Sequence, residues 1–306
     1  MTSADRHKPP KMHENEPDVD TDLVRRLLAA QFPHWADLPL ERYPSGGTVN
    51  AIYRLGENMS VRLPINEPWV WHLETEAKWL PKLAPHLPVA VPEVLGRGVP
   101  GEGYPFPWSV LGWLEGETWS MGRLRDEEEG AADLTNFISA LWKIDTKDGQ
   151  HPRGASKIPL PAFDHWVRES IEGARDMVDA KALSAAWELA VAAPEFDGTP
   201  VWVHFDLGPA NVLVAEGRMC AVIDWGSVHV GDPARDLSAA WMMLSRENRN
   251  TFRALLDVDD ATWARARGWA TRAVGALDYY RNTNQSMVED ALNTIGEVLI
   301  DLECGN

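Results

Sequence analysis

The sequence predicts an α+β fold in two lobes: an antiparallel β-sheet with a helix first, and a larger, mainly helical lobe second. Three observations carry that reading. Residues 40–64 alternate in polarity and break at turn residues, as strands joined by short turns do. From about residue 127, apolar side chains recur at helical spacing over several successive segments. A strand-rich stretch at 200–224 interrupts those helices and carries His204, Asp206, Asn211 and Asp224.

The elements follow in order. Residues 1–20 are rich in Pro, His and acids, a composition that does not build a packed core. DLVRRLLAAQF puts Leu23, Leu27, Leu28 and Phe32 on one helical face, with Asp20 or Thr21 as its cap. LERYP, TVNAIYRLG and ENMSVRLP read as three strands, the first two separated by Ser45-Gly46-Gly47. Residues 70–84 read as a helix, LPVAVPEVLGRG as a short strand ending in a turn, and PFPWSVLGWLEGET as an apolar strand that breaks at Gly112. Beyond 127, EEEGAADLTNFISALWKID, FDHWVRESIEGARDMV, AKALSAAWELAVAA, DLSAAWMMLS, NRNTFRALL, ATWARARGWATRAVGALDYY and QSMVEDALNTIGEVLIDL read as helices. The expected division is a tail to residue 20, an N-terminal lobe at 21–112 and a C-terminal lobe at 113–306.

Composition narrows the function. Lys and Arg number 29 against 46 Asp and Glu, a net charge of −17, so a nucleic-acid backbone is not the expected partner. That charge suits a cationic substrate, and it equally suits plain solubility. The two cysteines form no CxxC pair, so neither a disulfide framework nor a zinc site is expected. No apolar run reaches the length of a membrane span, and residues 1–20 lack the apolar core of a signal peptide. A cytoplasmic protein without a membrane partner is the expectation.

His204-Phe205-Asp206-Leu207-Gly208-Pro209-Ala210-Asn211 has the H-x-D-L-x-x-x-N spacing of a kinase catalytic loop. At the loop tip, Asp206 is placed to orient an attacking hydroxyl and accept its proton. Asn211 returns from the loop to offer its amide oxygen to Mg²⁺, and His204 braces the loop. Read alone, these eight residues are also what an Asp- and Asn-capped turn between strands looks like. Thirteen residues after Asn211, the apolar strand AVIDWG delivers Asp224, followed by an aromatic and a glycine. This has the shape of the element whose Asp binds the metal bridging the phosphates. Asn211 and Asp224 make an all-oxygen donor set of the hardness Mg²⁺ prefers. Gly231 to Leu237, GDPARDL, reads as a helix start with Asp236 in the first turn, either as a simple cap or reaching back to the loop.

HFDLGPANVLV, AVIDWG and GDPARDL together resemble the aminoglycoside phosphotransferase family, the antibiotic-kinase branch of the two-lobed protein-kinase-like fold. The likeness runs over roughly residues 22–300. It implies transfer of the γ-phosphoryl group of ATP or GTP, with Mg²⁺, to a hydroxyl of a small molecule, an aminoglycoside-like or other antibiotic. Phe205 departs from the glycine that many members carry between this His and Asp.

The N-terminal lobe fits the same reading. Ser45, Gly46 and Gly47 are placed for backbone N–H groups to cover phosphates, and a plain hairpin turn is the alternative; no Walker A loop follows. Arg62 in MSVRLP stands where a kinase carries its strand cation, with Glu76 on the next helix as partner and Glu74 as fallback. By resemblance, backbone groups near Leu111 and Trp113 meet the adenine edge, and Val110 and Ile223 pack on its faces. Of the 15 tryptophans, Trp113, Trp119, Trp225, Trp241 and Trp269 border the motifs, and core packing is the favoured role of each. Tyr279 to Asn284 either line the acceptor pocket or end a helix. The alternatives in function are a kinase for a choline-, homoserine- or sugar-like alcohol, and a catalytically silent nucleotide-binding module. A protein kinase is disfavoured, because GDPARDL follows Asp224 too closely to leave a peptide-binding segment.

Overall fold

The structure is a computed structural model that describes residues 16–44, 49–149 and 159–303. Contacts divide the chain into two compact units, residues 1–82 with 92–114, and residues 83–91 with 115–306.

In the first unit, β1 (Leu40–Arg42), β2 (Asn50–Leu55), β3 (Met59–Pro64), β4 (Val94–Gly98) and β5 (Trp108–Gly112) form one antiparallel sheet in the order β1-β2-β3-β5-β4. Its two faces follow from strand alternation. On one face Ala51, Tyr53, Leu55, Val61, Leu63, Trp108 and Val110 pack with α1 (Thr21–Gln31), which contributes Leu23, Val24, Leu27 and Leu28. Asp20 caps α1 by accepting the Leu23 N–H at 2.8 Å. Two buried hydroxyls are satisfied within this core: Tyr53 donates to the Val19 carbonyl and Tyr104 to the Pro64 carbonyl. The other face carries Arg62, cross-strand from Ser109, and meets Glu76 of α2 (Trp71–Leu83).

The second unit has two small sheets set among helices. β6 (Glu117–Thr118), β8 (Val212–Ala215) and β9 (Arg218–Val222) form one, and β7 (Val201–Val203) pairs with β10 (His229–Gly231) in the other. Ala90 extends the first by bridging Ala221. Around them lie α3 (Glu127–Trp142), α4 (Asp164–Gly173), α5 (Ala180–Val191), α6 (Ala234–Leu237), α7 (Ala239–Met243), α8 (Arg246–Leu255), α9 (Asp260–Thr271), α10 (Val274–Tyr280) and α11 (Gln285–Glu303). Trp187, Trp225 and Trp241 are among its largest fully buried side chains, so most of the tryptophans near the motifs serve packing.

Two runs that read as helical divide in the structure. DLSAAWMMLS breaks at Ser238, whose hydroxyl donates to the Arg235 carbonyl at 2.6 Å. ATWARARGWATRAVGALDYY breaks between α9 and α10, where Ala273 and Gly275 donate to carbonyls three residues back. Helical periodicity persists through such a tightened turn, so the sequence alone does not mark it.

Gly98 admits the Trp108 indole, since a Cβ there would stand 2.0 Å from the ring. Gly98→Ala is expected to destabilise the sheet by about 1–3 kcal/mol, as overpacking does. A urea midpoint equal to that of the unchanged protein would refute this.

Candidate active site

The loop from His204 to Asn211 leaves β7 and enters β8, and Asp236 decides its shape. Asp236 is wholly buried at the start of α6, where its Oδ2 accepts the His204 N–H and its Oδ1 the Phe205 N–H, both at 2.7 Å. Burial pushes this carboxyl up from its usual range; the His204 ring, these two N–H bonds and the Arg235 charge oppose the rise. A carboxylate holding two successive amides fixes the turn as a clamp would.

His204 ties this turn to the next strand. Its Nε2 lies 3.0 Å from the Ile223 carbonyl, and its Nδ1 accepts the Asp206 N–H at 3.3 Å, which assigns the proton to Nε2. The ring meets Trp225 edge-on at 4.7 Å. His204 is fully buried, so bracing is the role its surroundings permit.

Asp206 stands exposed at the tip. Asn211 donates its Nδ2 to the Asp206 carbonyl at 2.8 Å and to Asp206 Oδ2 at 3.1 Å. That use of the amide nitrogen turns the Asn211 Oδ1 away from the loop. Ile223 donates its N–H to the Asn211 carbonyl at 2.9 Å, which sets Asp224 beside this residue. Asp224 has φ +62° and ψ 64°, and Phe205 has φ +76°. Left-handed backbone costs a residue with a Cβ roughly 1–2 kcal/mol. Strain of this kind gathers where geometry serves a function. It also explains why glycine suits position 205. Phe205 is held there by His229 at 5.3 Å and Trp269 at 6.2 Å, with Arg235 over its ring at 5.0 Å.

Among the described residues, no group of three or more His, Cys, Asp or Glu could hold a metal. The Asn211 amide oxygen and the Asp224 carboxylate fit a Mg²⁺ ion that takes its remaining ligands from phosphates and water, the usual arrangement for that ion.

In the first unit, Arg62 Nη1 lies 2.8 and 3.0 Å from the two Glu76 carboxylate oxygens. Both side chains are buried, and Glu74 is exposed. A buried ion pair is costly to desolvate and is no cheap route to stability.

The expected nucleotide-base residues divide. Leu111 is cross-strand from Ser60 and shares the Arg62 face. Val110 does not. It points into the α1 core, because neighbouring residues of a strand face opposite ways. The Trp113 N–H is already donated to the Asn58 carbonyl at 2.8 Å, so it is not open to a base edge. The Trp113 indole instead takes Arg54 over its ring at 4.0 Å. Ile223 is half-buried in the second unit, with its N–H and carbonyl both used as above. Ser45, Gly46 and Gly47 lie outside the described residues. Tyr279 is exposed at the end of α10. Arg235 was missed as a site residue: its Nη2 is 4.0 Å from Asp206 Oδ1. The signal was a cation inside GDPARDL, one residue before the clamp.

Residues 40–269 match the model of the phosphotransferase enzyme family, APH. The chain belongs to that family. The match includes Arg62, Glu76, the His204–Asn211 loop, Asp224 and Asp236. The chain is also similar to viomycin phosphotransferase of Streptomyces vinaceus, 31% identical over 144 residues, which are 44% of this chain and 49% of that one. The chain thus spans about half the length of the curated relative it matches. Among solved structures, the GDP complex of wild-type aminoglycoside 2'-phosphotransferase-IIIa covers 93% of this chain and 100% of its own, with TM-score 0.68 at 17% identity. The macrolide 2'-phosphotransferase MphH from Brachybacterium faecium covers 90% and 97%, with TM-score 0.59 at 21% identity. These likenesses show the kinase-like fold that this family shares. Among the described residues, no helix is long and apolar enough to cross a membrane.

His229 of β10 supports the loop from below Phe205. Burial depresses its pKa, its Nδ1 contact with the Ser227 carbonyl raises it, and Arg235 adds to the depression. The unfolded chain therefore binds a proton here more readily than the folded one. Stability should fall as pH drops below about 6.5, the unfolded value. The slope between pH 7 and pH 5.5 in chemical denaturation should flatten in His229→Gln; an unchanged slope would assign it to other groups.

Proposed function

We propose that this protein transfers the γ-phosphoryl group of ATP or GTP to a hydroxyl of a small molecule of the antibiotic type. The observation that carries the proposal is the loop geometry: Asp206 exposed at the tip, held by Asn211, which is in turn bonded to Ile223, the residue before Asp224. Family membership supports the reaction class, and the printed names of the relatives support an antibiotic as acceptor.

In this reading the acceptor hydroxyl donates to Asp206 and is held in line with the γ-phosphorus. Its oxygen forms the new O–P bond, the β,γ-bridging P–O bond breaks, and the nucleoside diphosphate leaves with the electron pair. The hydroxyl proton passes to the Asp206 carboxylate. Such transition states are loose, so positioning outweighs covalent assistance. Asn211 holds Oδ2 and leaves Oδ1 outside the hydrogen bonds of the loop. Asp224 and the Asn211 oxygen are the groups that would hold Mg²⁺, which supplies charge neutralisation on the phosphates when bound. Arg62 is the phosphate cation in this reading, and Glu76 fixes its fork.

Asp206→Asn keeps the shape but accepts no proton. It should lower kcat by about 10²–10⁴-fold, the usual worth of a general base, with little change in nucleotide Kd. Asp224→Ala should abolish turnover at any Mg²⁺ concentration. Turnover by both variants at the normal rate, in a coupled nucleoside-diphosphate release assay, would end the kinase reading.

Arg62→Ala and Glu76→Ala should each weaken nucleotide binding, the second less because it acts through the first. A double-mutant cycle on nucleotide Kd should give a coupling of about 0.5–3 kcal/mol. Additive losses would separate the two residues functionally.

A further inference from the structure

Phe205 occupies a backbone position that disfavours a side chain. Its φ of +76° is left-handed, where a Cβ is crowded and glycine is easy. The contacts of the ring show what the side chain adds there. The Arg235 Cζ lies 5.0 Å from the Phe205 ring centroid and 5.4 Å from that of Trp269. The two rings meet edge-on at 6.2 Å. A guanidinium is attracted to aromatic faces of this kind.

A hydrogen bond completes the hold on the guanidinium. Arg235 Nη1 donates to the Ser238 hydroxyl at 3.2 Å, and that hydroxyl donates to the Arg235 carbonyl at 2.6 Å. The remaining terminal nitrogen, Nη2, lies 4.0 Å from Asp206 Oδ1. Asn211 Nδ2 donates to the other oxygen, Oδ2, at 3.1 Å. The neighbouring Asp236 carboxylate has both oxygens engaged by backbone N–H groups.

The exposures of the pair differ: the Asp206 side chain is 59% exposed and the Arg235 side chain 20%. The last torsion of an aspartate is soft, so an exposed carboxylate held at one oxygen still turns. A fixed cation near the second oxygen restrains that turn. At 4.0 Å, Nη2 is too far to hydrogen-bond Oδ1, which keeps its lone pairs for a hydroxyl.

We propose that Phe205 and Arg235 are a positioning pair for Asp206. Phe205, with Trp269, holds the Arg235 guanidinium, and Arg235 orients the Asp206 oxygen that Asn211 does not hold. This rests on Asp206 as the residue that engages the acceptor hydroxyl.

Steady-state kinetics of the full chain tests it, read as nucleoside-diphosphate release from ATP with kanamycin, viomycin or, failing both, water as acceptor. Arg235→Met should lower kcat by about 10- to 100-fold, the scale of a misplaced reacting group, with nucleotide Kd and acceptor KM within about threefold. Arg235→Lys keeps the charge and should recover part of the loss. Phe205→Leu fills much of the space without an aromatic face and should lower kcat by about tenfold. Phe205→Tyr keeps the face and should stay within about threefold of the unchanged protein. With Arg235→Met already present, Phe205→Leu should cost less than about twofold more, because its effect passes through the arginine. Equal kcat in the Leu and Tyr variants, or additive losses in the double variant, overturns the proposal. If the Met variant does not fold, the Leu and Tyr comparison decides.

Nitrogen NMR separates this failure from that of the kinase reading. The Arg235 Nη atoms should give distinct signals, since a held guanidinium rotates slowly, and the signals should merge in Phe205→Leu. Merged signals in the unchanged protein overturn the pair, whatever the turnover. Absence of diphosphate release with every acceptor, together with distinct signals that merge in Phe205→Leu, would sink the kinase reading and leave the held arginine standing.

Discussion

The second unit is organised around the Asp236 carboxylate and the two backbone amides it accepts from His204 and Phe205. Charge-assisted hydrogen bonds of this length are about twice as strong as neutral ones, and here the one from His204 is buried and the one from Phe205 partly so. With those amides held, Phe205 must take a left-handed φ, and the chain returns so that His204 faces the Ile223 carbonyl. The positions of Asp206 and Asn211 follow from that turn. The clamp costs little in length: GDPARDL supplies it from the first turn of a four-residue helix, α6.

The left-handed residues show how packing offsets local strain. Phe205 would be easier as glycine on backbone grounds alone. It is kept in place by aromatic neighbours and by Arg235, contacts that glycine cannot make. Asp224 is followed by Trp225, fully buried, whose indole donates to the Val222 carbonyl at 2.9 Å and meets Phe137 edge-on. The large side chain after Asp224 anchors the bend that its carboxylate requires.

Cations are distributed with purpose in both units. Arg62 is held by Glu76 in a two-oxygen contact on the face of the sheet away from α1. In the second unit, Arg249 is fully buried with Glu297 and Asp301, and Arg265 is fixed by Asp232. Those arginines have their counter-charges and act as braces. Arg272 has aromatic faces instead, which favour a guanidinium without neutralising it.

The sequence by itself determined most element types, the order of a sheet-rich part before a helical part, and the loop from His204 to Asn211. H-x-D-L-x-x-x-N and AVIDWG are local in sequence, and local spacing fixes which residues come from one loop or strand end. Glu76 was preferred to Glu74 by likeness to the family, and the fold buries Glu76 beside Arg62 and leaves Glu74 exposed. Only the tertiary structure decided matters of facing and long-range contact. Val110 and Leu111 both lie in an apolar strand, and which face meets α1 depends on a helix about eighty residues earlier. Likeness gave the backbone near Leu111 and Trp113 to a ligand, and the Asn58 carbonyl, in the turn between β2 and β3, takes the Trp113 N–H. The α9–α10 break hides within continuous helical periodicity, because a three-residue hydrogen-bond step keeps apolar residues nearly in phase. Arg235 and Arg272 meet at Trp269 only once α6 and α9 pack, and no spacing rule reports a charge that lacks its partner. That is a property of the folded surroundings, where burial removes water and neighbours supply or withhold the counter-ion.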